Sequence, residues 1–179
     1  GNVFMDLAFQ GTLNDQLRGF YRSQYVDDDG NERYLASTQF EATDARRAFP
    51  CWDEPSFKAT FDVTLVVPEA LAAISNTAVV SETSASAGLR TVKFERSPKM
   101  STYLVAFIVG DMAFVEEQTP SGTLIRVWAT KGSEEHGRYA LDNAVRLLSY
   151  FNDYFGIPFP LSKLDHIAIP DFAAGAMEN

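Results

Sequence analysis

Phe57-Lys58-Ala59-Thr60-Phe61-Asp62-Val63-Thr64-Leu65-Val66-Val67 is the stretch on which the fold turns. Phe57, Ala59, Phe61, Val63, Leu65 and Val67 fall on one face of an extended chain, with Lys58, Thr60, Asp62 and Thr64 on the other. Side chains alternate across a strand with a period of two, so the pattern predicts a strand with one face buried and one in water. One-sided strands belong to antiparallel sheets, because parallel sheets are covered on both faces. Short runs on either side repeat the theme. Val3, Met5, Leu7 and Phe9 alternate and predict a first strand. Residues 20–25 and 33–40 flank Asp27-Asp28-Asp29-Gly30-Asn31, a turn-rich acidic tip, and predict a hairpin. Those aspartates lack the alternating ligands and distal glutamate of a calcium loop, so a solvated turn is the reading. Further strands are predicted over 72–76, 89–94, 103–109 and 112–117, with 81–88 a Ser/Ala-rich loop. Thr43 is placed to cap a single helical turn over 43–48, which Pro50 stops.

The texture changes at Gln118-Thr119-Pro120-Ser121-Gly122, which reads as a linker. A strand is predicted over 123–129, then a long helix capped by Ser133, with Glu134 and Glu135 in the first turn where the helix dipole favours acids. Leu141, Ala144, Leu148, Phe151 and Phe155 recur at helical spacing and predict a core-facing stripe. Gly156 and Pro158 end the helix, and residues 164–169 form a strand closed by Pro170. The predicted fold class is therefore mainly β: an antiparallel β-sandwich over 1–117, followed over 118–179 by the opening of a mixed α/β domain.

The 179 residues, 46% of them apolar and 22% charged, suffice for a buried core. A net charge of −9 argues against nucleic acid or an anionic membrane as partner. No apolar run approaches the ~20 residues of a membrane helix. The single cysteine, Cys51, has no internal disulfide partner and is compatible with a reducing compartment, although one residue decides little; the expected location is cytoplasmic. His136 is expected in solvent and His166 packed within the sheet; neither belongs to a His-Glu-x-x-His sequence.

Two blocks carry more specific information. The first is Gly175-Ala176-Met177-Glu178-Asn179; the second is Gln39-Phe40-Glu41-Ala42-Thr43-Asp44-Ala45-Arg46-Arg47-Ala48-Phe49-Pro50-Cys51-Trp52-Asp53-Glu54-Pro55-Ser56-Phe57-Lys58-Ala59. The pentapeptide matches, letter for letter, the exopeptidase (GAMEN) motif of the zinc aminopeptidase family of puromycin-sensitive aminopeptidase and aminopeptidase N. The longer block resembles the signature of that family's N-terminal domain, most closely in its puromycin-sensitive branch. Two motifs in the family's order are far more specific than one short match. The resemblance implies a saddle-like β-sandwich leading into a thermolysin-like catalytic domain, the chain being a fragment that ends at the pentapeptide.

The resemblance also implies a chemistry. Cleaving one residue from a peptide N-terminus requires recognition of the free ammonium group, and two carboxylates converging on one point do this well. By resemblance the pair is Glu178 and Glu41. Gln39 matches a position that helps wall the first side-chain pocket, and Gly175, Ala176 and Met177 line the substrate backbone. Gly175, lacking a Cβ, permits another backbone to approach closely. Zinc would activate water in the full-length parent, held by a His-Glu-x-x-His helix and a distant glutamate that this sequence lacks. No catalytic residue, metal ligand or bound zinc is thus expected in the chain itself. The partners implied are peptides with a free N-terminus. A rival reading is an aminopeptidase-like scaffold that lost catalysis and serves as an interaction module; a further one is a family member acting also on a small lipid epoxide.

Overall fold

The computed structural model describes residues 1 and 3–179. Strands β1 (Gly19–Val26) and β2 (Glu32–Gln39) form the predicted hairpin, in antiparallel register from Gly19 opposite Gln39 to Val26 opposite Glu32. The acidic tip is turn scaffolding. The Asp27 carboxylate accepts from the backbone N–H of Asn31 at 2.8 Å and of Asp29 at 3.1 Å, and Gly30 supplies the left-handed φ of 81°. Asp27 also takes a hydrogen bond from Arg33 Nε at 2.7 Å, and this partner holds its carboxyl below the usual range.

Strands β3 (Thr64–Pro68), β4 (Ala72–Ser75), β5 (Val79–Ser84), β6 (Leu89–Phe94) and β7 (Phe107–Gly110) complete the first part. They assort into two antiparallel sheets, one in the order β1-β2-β7-β4 and the other β3-β6-β5. Val67, Val92 and Phe94 of the smaller sheet are buried with Val63, Leu65, Ala73 and Val109 packed against them, the inter-sheet core of a sandwich. A third sheet, in the order β10-β9-β8, contains β8 (Met112–Gln118), β9 (Leu124–Thr130) and β10 (Lys163–Ile167). Strand β10 runs parallel to β9, and helix α1 (Arg138–Phe155) makes the crossover between them. Left-handed Gly156, φ 63°, terminates that helix as its position predicts. The mainly β architecture, antiparallel sheets followed by an α/β segment, is the predicted one. The third sheet joins the two segments: β8, which lies in 1–117 but for its last residue, Gln118, pairs along its length with β9, inside 118–179.

Several local expectations are corrected. Residues 3–13 form no strand; Val3 is 88% exposed, because the alternation there meets no sheet on which to bury. The 57–67 strand is regular only from Thr64. Its earlier half touches the sandwich through a bridge between Ala59 and Met100, leaving Phe57 exposed. Residues 103–109 divide into a 3-10 turn at Thr102–Leu104 and the shorter β7. Strand β5 occupies part of the expected loop; all six of its residues are exposed, so it carries no hydrophobic alternation. The turn after β2 is a 3-10 helix at Ala45–Arg47 with Asp44, not Thr43, at its N-cap. A 3-10 turn at Glu134–Gly137 precedes α1, and Ser133 makes no side-chain cap. Leu141 and Ala144 of α1 are buried against Val115, Ile125 and Val127, with Val145 and Leu148 packed on them. The sheet covers only this first half of the helix. Phe151 and Phe155 are exposed and stack on each other at 5.8 Å instead of entering a core.

Candidate functional site

Strand β10 delivers the chain to the pentapeptide. After Ile167, the backbone N–H of Ala168 still bonds to Trp128 O at 2.9 Å, and Pro170 then ends the pairing. The following segment folds over a cleft of about 810 Å³ whose walls include Ser37, Thr38 and Val127 on one side and Gly175, Met177 and Glu178 on the other. Gly175 is exposed, and a Cβ built on it would meet no atom within 4 Å, so the backbone there is open to a visiting chain. Ala176 and Glu178 are exposed too, and Met177 is half-buried. His166 lines the same cleft and is exposed, correcting the expectation that it packs within the sheet; side chains alternate along β10, and His166 falls on the open face.

The N-terminal block reaches this segment through Gln39. Gln39 ends β2 and is buried, and its Nε2 donates to Met177 Sδ at 3.7 Å across 138 positions of sequence. Its Oε1 is buried without a hydrogen-bond partner, an acceptor lacking a donor beside the pentapeptide. Glu41, two residues on, is exposed and lies outside the cleft lining, next to a cis Glu41–Ala42 peptide bond. The structure thus joins Gln39 to Met177 and sets Gly175, Ala176, Met177 and Glu178 along one cleft. Arg46 and Asp53 form an ion pair that braces the turn after β2: the buried Asp53 carboxylate accepts from Arg46 N at 3.0 Å and Arg46 Nε at 3.1 Å. Among the described residues no group of three or more His, Cys, Asp or Glu side chains is placed to hold a metal ion. The donors that zinc requires are not assembled by these side chains.

Two anchors behind the cleft have no counterpart in the sequence reading. Lys163 is buried on β10; its Nζ donates to Ser75 O of β4 at 2.8 Å and to the Asp165 carboxylate, which also accepts from Trp128 Nε1 at 3.1 Å. A lysine and an aspartate two apart on a strand share a face, and that spacing is the signal that would have found the pair. The second anchor is at Asp171, where Tyr21 Oη donates to the backbone carbonyl and the backbone N–H donates to Ser23 Oγ, both at 3.0 Å. Nothing in the spacing of Tyr21, Ser23 and Asp171 announces that contact.

Residues 1–104 match the family model described as the Peptidase M1 N-terminal domain, and residues 139–179 match the Peptidase family M1 domain. The chain is 56% identical over 178 residues to puromycin-sensitive aminopeptidase of Caenorhabditis elegans, an alignment covering 99% of the chain and 19% of that protein. It is 56% identical over 179 residues to aminopeptidase M1-B of Oryza sativa subsp. japonica, covering 100% of the chain and 20% of the relative. With the mitochondrial aminopeptidase 2 of Saccharomyces cerevisiae the identity is 48% over 180 residues, covering 100% and 19% respectively. The chain spans about a fifth of the length of these relatives. No helix among the described residues is long and apolar enough to cross a membrane. Two family domains matched in order, over most of the sequence, settle the kinship: the chain belongs to peptidase family M1.

Proposed function

We propose that this chain is the amine-recognising part of a zinc aminopeptidase that removes N-terminal residues from peptides. Residues 1–117 contribute the sandwich and 118–179 the opening of the catalytic domain. Glu178 and Glu41 bind the free α-ammonium group of the substrate, Gln39 helps wall the pocket for its first side chain, and Gly175, Ala176 and Met177 lie along its backbone. The observation that carries this reading is the Gln39–Met177 contact with the donor-less Gln39 Oε1 beside it. It brings the two sequence blocks together, with an unsatisfied polar acceptor buried where they meet. Strand β10 is the edge of its sheet, a position from which an extended peptide can be paired. Zinc, supplied by ligands elsewhere in the full-length protein, would activate the attacking water; the chain alone hydrolyses nothing. The proposed compartment is the cytoplasm.

The test is kinetic and uses the full-length, zinc-loaded enzyme. Glu178→Ala or Glu41→Ala removes one charged hydrogen bond to the ammonium, and kcat/KM on a free-amine peptide should fall by about 2–4 kcal/mol. The double variant should lose less than the sum, since both carboxylates hold one group. Wild-type kcat/KM in a folded Glu178→Ala enzyme would refute the assignment.

A further inference from the structure

Asp171 lies seven residues before Glu178 and just past Pro170, where β10 has lost its pairing partner. Both of its backbone polar groups are nevertheless satisfied. Tyr21 Oη donates to its carbonyl at 3.0 Å, and its N–H donates to Ser23 Oγ at 3.0 Å. Tyr21 and Ser23 stand two apart on β1, on the same face, and both are 0% exposed. They do with side chains what a neighbouring strand would do with its backbone. The hairpin that supplies these two hydroxyls also carries Gln39, paired with Gly19 in the same register that sets Tyr21 opposite Ser37. A single rigid element therefore touches the 171–177 segment at both ends: at Asp171 through Tyr21 and Ser23, and at Met177 through Gln39.

We infer that Tyr21 and Ser23 are positioning residues, which fix Asp171 and so set the reach of the Gly175–Glu178 segment toward Gln39 and Glu41. This rests on the proposed amine-recognition role. A segment gripped only at Met177 would be free to swing about Pro170, because a thioether sulfur is a weak acceptor. With Asp171 clamped, the six residues after it span a fixed interval between two points on one hairpin. Ammonium binding by two carboxylates from separate elements depends on that interval, because each loses its hydrogen bond when displaced by a fraction of an ångström. Tyr21 is suited to the task. Burial pushes its phenol up to about 12, so it keeps the proton it donates throughout the neutral range.

The readout is discrimination between two ligands of the full-length enzyme: a non-hydrolysable dipeptide analogue with a free α-amine, and its des-amino counterpart. The ratio of their dissociation constants isolates the amine contribution. Tyr21→Phe and Ser23→Ala should each lower that ratio about three- to tenfold, the scale of one lost hydrogen bond, with affinity for the des-amino ligand unchanged. A residue that merely packs the core would alter thermal stability and leave the ratio alone. Glu178→Ala is the reference. If it collapses the ratio while both hydroxyl variants keep the wild-type value, the positioning role is overturned and the proposed function stands. If Glu178→Ala leaves the ratio intact, the amine reading fails and the inference falls with it. Should Tyr21→Phe not fold, Ser23→Ala decides, since it removes a single acceptor and preserves the tyrosine ring.

Discussion

Replacing Lys163 by methionine in this chain tests how the cleft is held from behind. The Lys163 and Asp165 side chains are 9% and 6% exposed, so the substitution strands a buried carboxylate. Asp165 would keep only the neutral Trp128 indole N–H, at 3.1 Å, and Ser75 O on β4 would lose its 2.8 Å donor. Methionine fills most of the lysine stem, so the cost comes from the uncompensated charge and not from a cavity. Removing one partner of a buried pair costs about 3–5 kcal/mol, a large part of the roughly 5–15 kcal/mol that holds a domain folded. Adding Asp165→Asn removes the stranded charge while leaving an oxygen for Trp128. The double variant should then be only about 1–2 kcal/mol less stable than wild type, the cost of one orphaned carbonyl. The assay is urea unfolding followed by tryptophan fluorescence and far-UV circular dichroism, coincident transitions licensing the free energies. Trp128 sits inside the network and reports on it directly. A Lys163→Met chain within 1 kcal/mol of wild type, or a double variant as unstable as the two singles added together, would refute the reasoning.

Two further outcomes are expected. Tyr21 has its folded pKa raised from 10.0 to about 12 by burial, so the fold holds the proton more tightly than the unfolded chain does. Its contribution is complete below pH 10 and is lost as pH climbs from about 10 toward 12, and a Tyr21→Phe chain should show a flatter alkaline stability profile over that window. The 179-residue chain, incubated with aminoacyl fluorogenic substrates and added zinc, should show no chelator-sensitive turnover; activity surviving removal of trace contaminants would refute its proposed silence.

The legible parts of the fold were those where one face of an element is buried within the chain. Strand β1 of the hairpin around Asp27 alternates between buried and more exposed positions, strands β6, β8 and β9 lie within a residue of their predicted bounds, and Gly156 marks the end of α1. Pattern failed where burial and periodicity part company. Strand β5 is exposed on both sides and is rich in serine and threonine, so it reads as a loop, although backbone pairing with β6 alone makes it a strand. Val3 to Phe9 alternates without a sheet to cover it, and Phe151 and Phe155 continue a stripe whose covering layer ends at Leu148. In the candidate site the motif residues were legible one at a time. Their meeting was implied by the resemblance alone, because contacts such as Gln39 with Met177 or Tyr21 with Asp171 depend on how the β1–β2 hairpin and the segment after β10 are carried by the sheets, which no local spacing encodes.

The hairpin of β8 and β9 has a mechanical consequence. Met112 opens β8 and Trp128 lies in β9, yet both are buried in the same cluster as Leu35, Ile74 and Ile108 of the first sheet and Ala106 just before β7. The Lys163–Ser75 bond ties β10 to that sheet as well. A rotation of the α/β segment about the stretch joining β7 to β8 would therefore have to tear open a continuous apolar core before it moved the pentapeptide at all. Gly110 adds a steric latch, since a Cβ there would lie 2.6 Å from that of Leu35, leaving no slack between β7 and β2. The sandwich and the strands carrying the cleft are thereby held together as one lever arm.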